Sequence, residues 1–467
     1  VPSPRLAVVV LLLAAPWGAA RAAVQDAPAP APAPAVAPSA DSVPPQRPAL
    51  AVGQALFVNV LVNRFDAWAL REHWAIGAGT GSWRRNLRLG WEWDEDNFTT
   101  NMFAHPYHGG LYFNTGRANG LDYWESAPLA FLGSWTWEYL GETYRPSLND
   151  FFMTSFGGIA LGEMFHRLGA SIRDNTARGG GRLRRELVAL PLDPIGGLNR
   201  LLRGQWSAVF PNPPEHDHGA FLLRVHLGAR FAEGVVVDSA ARLGTLVFDL
   251  VYGDPFLRPY TSPFDAFGMR AVISTGGGFN VLRASGRLYG RDLTDRAARV
   301  RHVLAINQRY DYVRNPAHSI GGQSVEIGIY SRWPLGGDFG VRTAAFGDGV
   351  ILGAIDAPGA GLGERNYDFG PGAGFRLEAG LERRGVRYLT LHSRIEYVHA
   401  VSGASADHTI WFTGAELTLP IARSLGVAAH ATYFTRLSRY TDRPDDRRDY
   451  PELRLLAVWT RAGLPTR

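Results

Sequence analysis

From residue 223 onward the chain keeps a period of two. Leu223, Val225, Leu227, Ala229 and Phe231 alternate with Arg224, His226, Gly228 and Arg230, and Phe375, Leu377, Ala379 and Leu381 with Arg376, Glu378, Gly380 and Glu382. Leu389, Leu391, Ser393, Ile395 and Tyr397 repeat the design against Thr390, His392, Arg394 and Glu396. Successive side chains of a strand point to opposite faces, so each such segment has one apolar and one charged face. About twelve of these segments lie between Asn212-Pro213-Pro214 and Trp459. Many reach the roughly 9–11 residues of a tilted membrane strand. Alternation alone also fits a soluble sandwich or barrel. Two features favour the membrane. The apolar faces are clean while the polar faces mix both signs of charge, and Phe231, Tyr252, Tyr289, Tyr397, Tyr433 and Trp459 sit near strand ends, where an interfacial girdle would stand.

Ahead of this region the periodicity is helical. Residues 54–74, 98–115, 123–140, 148–175 and 195–202 each read as a helix, punctuated by Gly, Pro or Asp. They make a module over 51–210, followed by the β region over 215–467. Residues 1–23 have the form of a cleaved secretory signal: Arg5, an apolar run from Leu6 to Ala15, then small residues to Ala23. Residues 24–50, rich in Ala and Pro, read as an extended linker. The longest apolar runs, such as Ala127 to Trp137, fall short of the ~20 residues of a membrane helix, so none is expected.

The residue inventory excludes whole classes of chemistry. The chain has no cysteine, which rules out lipid acylation, disulfides and thiolate nucleophiles. It has no lysine either, so its 48 basic residues are all arginine and Schiff-base and P-loop chemistry are absent. A net charge of +5 is spread along the chain among 43 acids, which is not a nucleic-acid footprint. There is no G-x-S-x-G elbow, H-E-x-x-H motif, dinucleotide fingerprint or EF-hand loop. No cofactor and no resident metal is assigned.

Candidate chemistry concentrates between Asp94 and Glu163. Asn101, His105, His108 and Tyr112, spaced four, three and four apart, form one stripe on a helix that Pro106 should kink. The two imidazoles could bind a metal or act as base and orienter; hydrogen bonding inside a bundle is the plainer reading. Glu138 and Glu142 are neighbours on one helix face, and their repulsion calls for Arg117, Arg145, Arg167 or a cation between them. Asp122-x-x-Glu125 and Ser147-x-x-Asp150 fit capping boxes, which gives Glu125 and Asp150 structural roles. Glu163-x-x-His166 has the spacing of half a di-iron site, without a second copy. Gly157, Gly158 and Gly162 form a small-residue face for close packing.

The string His105-Pro106-Tyr107-His108-Gly109-Gly110, Tyr112, Arg117, Gly120, Trp124-Glu125-Ser126, Trp137-Glu138, Glu142, Pro146-Ser147-x-Asn149-Asp150, Gly157-Gly158 and Gly162-Glu163 resembles the bacterial envelope family called domain of unknown function 3943. The likeness runs from about Val52 to Arg173. It implies a cell-envelope protein with a helical module, often followed by a β-rich region, and it brings no biochemical activity.

Together these readings predict an α+β membrane protein of the Gram-negative outer membrane. A helical module, in the periplasm or lodged in the barrel mouth, precedes an antiparallel transmembrane β-barrel of about twelve strands whose mixed interior charges close the lumen with ion pairs. The expected role is structural, assembly-related or transport-related, with outer-membrane lipid and the barrel-assembly machinery as partners. The alternative is an envelope enzyme acting on lipid or cell-wall material through His105, His108, Glu138 and Glu142; separately from that choice, Asn101, Tyr112, Arg117, Glu125 and Asp150 are read as a binding or structural polar cluster.

Overall fold

A computed structural model describes residues 45–213, 216, 220–232, 243–275, 278–315, 318–357, 365–383 and 386–463. The signal at 1–23 and most of the linker lie outside the described residues. The linker's end does not stay extended, because the first helix begins at Pro48, a residue pre-set for the first helical turn.

The helical module comprises α1 (Pro48–Phe65), α2 (His73–Ile76), α3 (Thr80–Leu89), α4 (His105–Arg117), α5 (Tyr123–Thr136), α6 (Leu148–Phe152), α7 (Gly158–Ile172), α8 (Gly179–Ala189) and α9 (Pro194–Leu202). Helices α3 and α8 are not expected from the sequence: TGSWRRNLRL and GGGRLRRELVA are too rich in Gly and Arg to show an apolar period. Four π-helical turns, Asp66–Leu70, Thr100–Ala104, Trp137–Gly141 and Met153–Gly157, extend or precede α1, α4, α5 and α7. With its π turn the first helix runs Pro48–Leu70, long and apolar enough to cross a membrane, contrary to the expectation of none. Asn59, Asn63 and Arg64 interrupt its apolar run, which hid it.

The twelve strands close into one antiparallel barrel: β1 (Phe221–Ala232), β2 (Leu243–Tyr252), β3 (Phe267–Ser274), β4 (Gly278–Asp292), β5 (Arg301–Arg314), β6 (Ser319–Gly336), β7 (Phe339–Asp356), β8 (Tyr367–Arg383), β9 (Val386–His399), β10 (Ala406–Pro420), β11 (Leu425–Tyr440) and β12 (Asp446–Gly463), with β1 pairing β12. Both strand termini lie at one end of the barrel, called the terminal end here. There β6 turns into β7 through Gly337 and Asp338, at φ of 55° and 69°, the left-handed pair that a tight hairpin needs. The opposite end is the loop end.

The sidedness expected from the alternation holds. Leu227, Phe375, Leu377 and Leu391 stand exposed on the outside, whereas His226, Arg230, Glu382 and Glu396 are buried. An outer belt of this kind is what a membrane barrel presents to lipid. Tyr289, Tyr397, Tyr433 and Trp459 are exposed on it. Tyr252 is not: it is buried and stacks on Phe267.

Inside, Arg309 reaches four acids, with Nε to Asp311 at 2.7 Å, Nη1 to Glu326 at 2.8 Å and Nη2 to Asp348 and Glu396 at 3.0 and 2.9 Å. Arg270 of β3 spans the lumen to Glu416 of β10. Towards the loop end the inward positions turn apolar, and Val247, Val313, Ile355, Val398, Ile410 and Phe434 form a plug that the charged pattern did not announce. A cavity of about 400 Å³ remains, lined by Arg224, Thr390, Arg394 and Glu416 among others.

The module is neither in the mouth nor in the lumen. It packs against the outside of the wall, over one arc of the barrel. Phe98, Met102, Phe113, Met153, Leu161 and Met164 share a core with Leu282 and Ala284 of β4, Tyr310 and Tyr312 of β5, Leu352 of β7 and Phe369 of β8. Tyr310 donates its hydroxyl to the Met102 carbonyl, Tyr123 donates to Gln308 Oε1 at 2.8 Å, and Gln308 Nε2 donates to the Phe156 carbonyl at 2.8 Å. At the terminal end Arg167 donates to the Pro263 carbonyl at 2.7 Å. The placement has two causes. The lumen is largely occupied by its own side chains, and on the outer wall the Tyr310 hydroxyl and the Gln308 amide find hydrogen-bond partners on the bundle that lipid could not supply.

Candidate functional site

The bundle is held by close helix approach. Gly109 and Gly110 of α4 face Gly158 and Gly162 of α7, so closely that a Cβ on Gly109 would lie 1.8 Å from the Thr154 carbonyl. The small-residue face expected at 157–162 is thus real, and Gly157 meets Pro106 and the barrel's Gln323. Three of the π turns carry Asn101, Glu138 and Thr154. Such bulges open a helix locally and recur at functional sites; here they turn polar side chains of three helical segments towards one point.

That point is a carboxylate–histidine cluster. His105 Nε2 is 3.6 Å from Asp150 Oδ2, and its Nδ1 is 3.3 Å from the Thr154 hydroxyl. One ligand-type atom from each of His105, Glu138 and Asp150 lies within 4.8 Å of the others. Glu138 Oε2 accepts the Ser147 amide at 2.8 Å, while its Oε1 is buried without a hydrogen-bond partner. Asp94 Oδ1 accepts from Asn101 Nδ2 at 2.8 Å and from Asn149 Nδ2 at 2.6 Å. Asn101 Nδ2 also donates to the hydroxyl of Tyr367, on the outer face of β8, at 2.7 Å. Glu142 is within Coulombic reach of Glu138 and Asp150. The cluster meets solvent at a rim where the His105 side chain keeps 14% of its surface in contact with solvent and exposed Asp96 is within Coulombic reach. In the loop at that rim, burial raises the Asp94 carboxyl to about 7, and nearby Asp150 adds to the rise; the Asn149 and Asn101 amides oppose it.

The sequence-derived residues separate into two groups. Asn101, His105, Glu138, Glu142 and Asp150 come together. His108 leaves the group: its Nε2 is 2.8 Å from the Tyr112 hydroxyl, which bonds to Asn59, and its ring packs edge-on against Trp137. Tyr112 itself is wedged over Gly133, where a Cβ would fall 2.3 Å from the ring. Glu125 closes a full capping box with Asp122 at the rim of α5. The second box is half made. Ser147 caps the Asp150 amide, but Glu138 takes the Ser147 amide and leaves the Asp150 carboxylate turned to His105. Glu163 and His166 part ways, Glu163 to Arg117 at 2.9 Å and Arg167 at 2.7 Å, His166 to Asp193 at 3.6 Å.

The arginines expected to neutralise Glu138 and Glu142 are therefore engaged elsewhere. Arg117 and Arg167 hold Glu163, and Arg145 donates to the Leu89, Gly90 and Trp91 carbonyls. Among the described residues, none of the Asp94, Glu138, Glu142 and Asp150 carboxylates is paired with an arginine. Sequence reasoning missed Asp94, Asn149 and Asn59 as members of the network and took Ser147 only as the cap of Asp150, which it is. A carboxylate or amide three segments away in sequence gives no local sign of its partner.

Residues 90–195 match the family model described as "Domain of unknown function (DUF3943)", which covers the cluster and most of the bundle. Among solved structures the chain is similar to OmpT, an outer membrane protein of Vibrio cholerae, at 10% identity over 52% of this chain and 96% of that one, with a TM-score of 0.23. It is similar to the NanC porin at 9% identity, 51% and 99% coverage and a TM-score of 0.28. It is also similar to Pseudomonas aeruginosa OpdQ at 10% identity, 52% and 97% coverage and a TM-score of 0.19. At these TM-scores the likeness adds nothing to the barrel already read from the strand pairing. No curated protein matches the chain.

Proposed function

We propose that this chain is an outer-membrane protein whose barrel is a closed support and whose working part is the helical bundle beside it, with the Asp94, His105, Glu138 and Asp150 centre acting on an envelope lipid. The observation that carries this reading is the composition of the centre. Asp94, Glu138 and Asp150 gather around one imidazole with Glu142 in Coulombic reach of them, none paired with an arginine among the described residues, in a chain that holds 48 basic residues and uses them freely inside the barrel. Buried like charges are unfavourable by several kcal/mol, and such arrangements concentrate at functional sites.

The signal-like composition of residues 1–23, a closed barrel and an apolar outer belt support the outer membrane as its location. The terminal end, with its two-residue β6–β7 turn, is read as periplasmic, which puts the His105 rim, beside the Tyr367 end of β8, at the external leaflet. A lipid substrate follows from the surroundings. Phe57, Val60, Leu61 and Trp68 on α1 and its π turn are exposed, so the bundle's outer surface continues the apolar belt of the barrel. The transport reading loses support because the lumen is occupied by charged networks and an apolar plug.

The test is reconstitution of the full chain in vesicles containing outer-membrane lipids. The expected result is no steady ion conductance, together with turnover of an envelope lipid that Glu138→Gln abolishes. Porin-sized currents, or turnover that survives Glu138→Gln, overturn the reading.

A further inference from the structure

We infer that His105, Glu138 and Asp150 bind a divalent first-row transition-metal cation. The inference rests on the reading of this cluster as the working centre, and it names what balances its charge. Three observations carry it. The first is convergence: the ligand-type atoms of the three residues come from three separate segments and lie within 4.8 Å of one another. Bonds of roughly 2.0–2.2 Å to a shared ion would hold such atoms at most about 4 Å apart, a contraction within reach of side-chain rotation.

The second observation is independent of the clustering of acids. Glu138 is fully buried, yet its Oε1 has no hydrogen-bond partner. Asn101 Oδ1, next to Asp94 and also fully buried, has none either. A buried acceptor left without a donor costs about 1–3 kcal/mol, more when charged. Two such oxygens, one on the cluster and one on its neighbour, fit a missing positive ligand. The third observation is that every arginine expected to serve is engaged elsewhere, and the chain has no lysine.

The donor set selects the class of ion. One imidazole with two carboxylates suits Zn²⁺, Mn²⁺ or Fe²⁺, whereas Ca²⁺ prefers an all-oxygen shell. His105 offers Nε2, because its Nδ1 faces the Thr154 hydroxyl, which would orient the ring. Asp94, held by two amides, stands one layer out beside Asp150. Exposed Asp96 at the rim adds negative potential where a cation would enter.

The test uses the detergent-purified full chain, stripped with a chelator and titrated with Zn²⁺, Mn²⁺ and Ca²⁺ by calorimetry, with metal content measured after desalting. One equivalent of Zn²⁺ or Mn²⁺ is expected, bound at least about tenfold tighter than Ca²⁺. Glu138→Gln and Asp150→Asn each weaken it at least about tenfold, while Glu125→Gln on the capping box leaves it unchanged. Because a variant could fail to fold, heat-modifiability on gels is read beside each titration. In addition, the magnetic-resonance spectrum of bound Mn²⁺ should show a nitrogen coupling that His105→Gln removes. No stoichiometric Zn²⁺ or Mn²⁺ binding by the wild type, binding unchanged in both folded acid variants, or bound Mn²⁺ without the nitrogen coupling overturns the proposal. Metal binding without any lipid turnover removes the proposed function and leaves the cation site standing.

Discussion

Arg309 and Glu138 show two opposite ways of burying charge. Arg309 satisfies itself on four acids from four strands and ties β5, β6, β7 and β9 together across the lumen. Removing it leaves those acids with fewer cations in a buried setting, where breaking a pair typically costs about 3–5 kcal/mol. Arg309→Ala is therefore expected to lower barrel stability by roughly that amount, read from urea unfolding in detergent, because Arg376 and Arg394 compensate only in part. An unchanged midpoint would show the network to be incidental. Glu138 has no such partner, and neutralising it should ease the fold: Glu138→Gln in chelator is expected to raise the melting temperature of the bundle while it removes function. At this scale the sequence told which residues are charged and on which face they sit. It could not tell that Arg309 is spoken for and Glu138 is not, because both facts depend on partners tens to hundreds of residues away.

Strands and helices differ in how much of themselves they disclose. A strand's two faces follow from alternation, and Leu391 outside with Thr390 inside is as the pattern predicts; Thr390 borders the lumen cavity. Leu391→Arg near the midplane is expected to cost roughly 2–4 kcal/mol and Thr390→Arg far less, measured by unfolding in lipid vesicles. Equal costs on the two faces would argue for a soluble barrel. The α4–α7 pair is just as sharply testable. A Cβ on Gly158 would fall 2.3 Å from the Gly109 backbone, so Gly158→Ala must push the helices apart. Overpacking of this kind costs about 1–3 kcal/mol, and proteolysis should reach the bundle while the barrel stays heat-modifiable. Loss of both together would mean that bundle and barrel fold as one unit. The helices gave up less to inspection. Polar residues interrupt α1 and conceal its length, and π turns displace Asn101 and Glu138 from the positions that an unbroken helical period assigns.

The whole molecule is a barrel with helices standing against its outer wall, and that arrangement makes the widest prediction. After cleavage near Ala22 or Ala23 the chain should fractionate with the outer membrane. A photoactivatable lipid should then label α1 at Phe57 and Leu61 as strongly as the barrel at Leu377; labelling of the barrel alone would place the bundle in water. By itself the sequence determined the switch from a helical to a two-residue period after Pro214, about how many strands follow, and the alternation of their apolar and charged faces. These are local or periodic properties, fixed by the geometry of a pleat or a helix turn and by composition. Only the tertiary structure decided that the module lies outside the barrel, that Tyr252 and Tyr310 serve a helix interface instead of a lipid girdle, and that His105 joins Glu138 and Asp150 while His108 goes to Tyr112. An outward aromatic looks the same in sequence whether lipid or helix covers it, and an acid looks the same whether arginine, proton or metal answers its charge. What distinguishes them is proximity between distant segments, which packing alone creates.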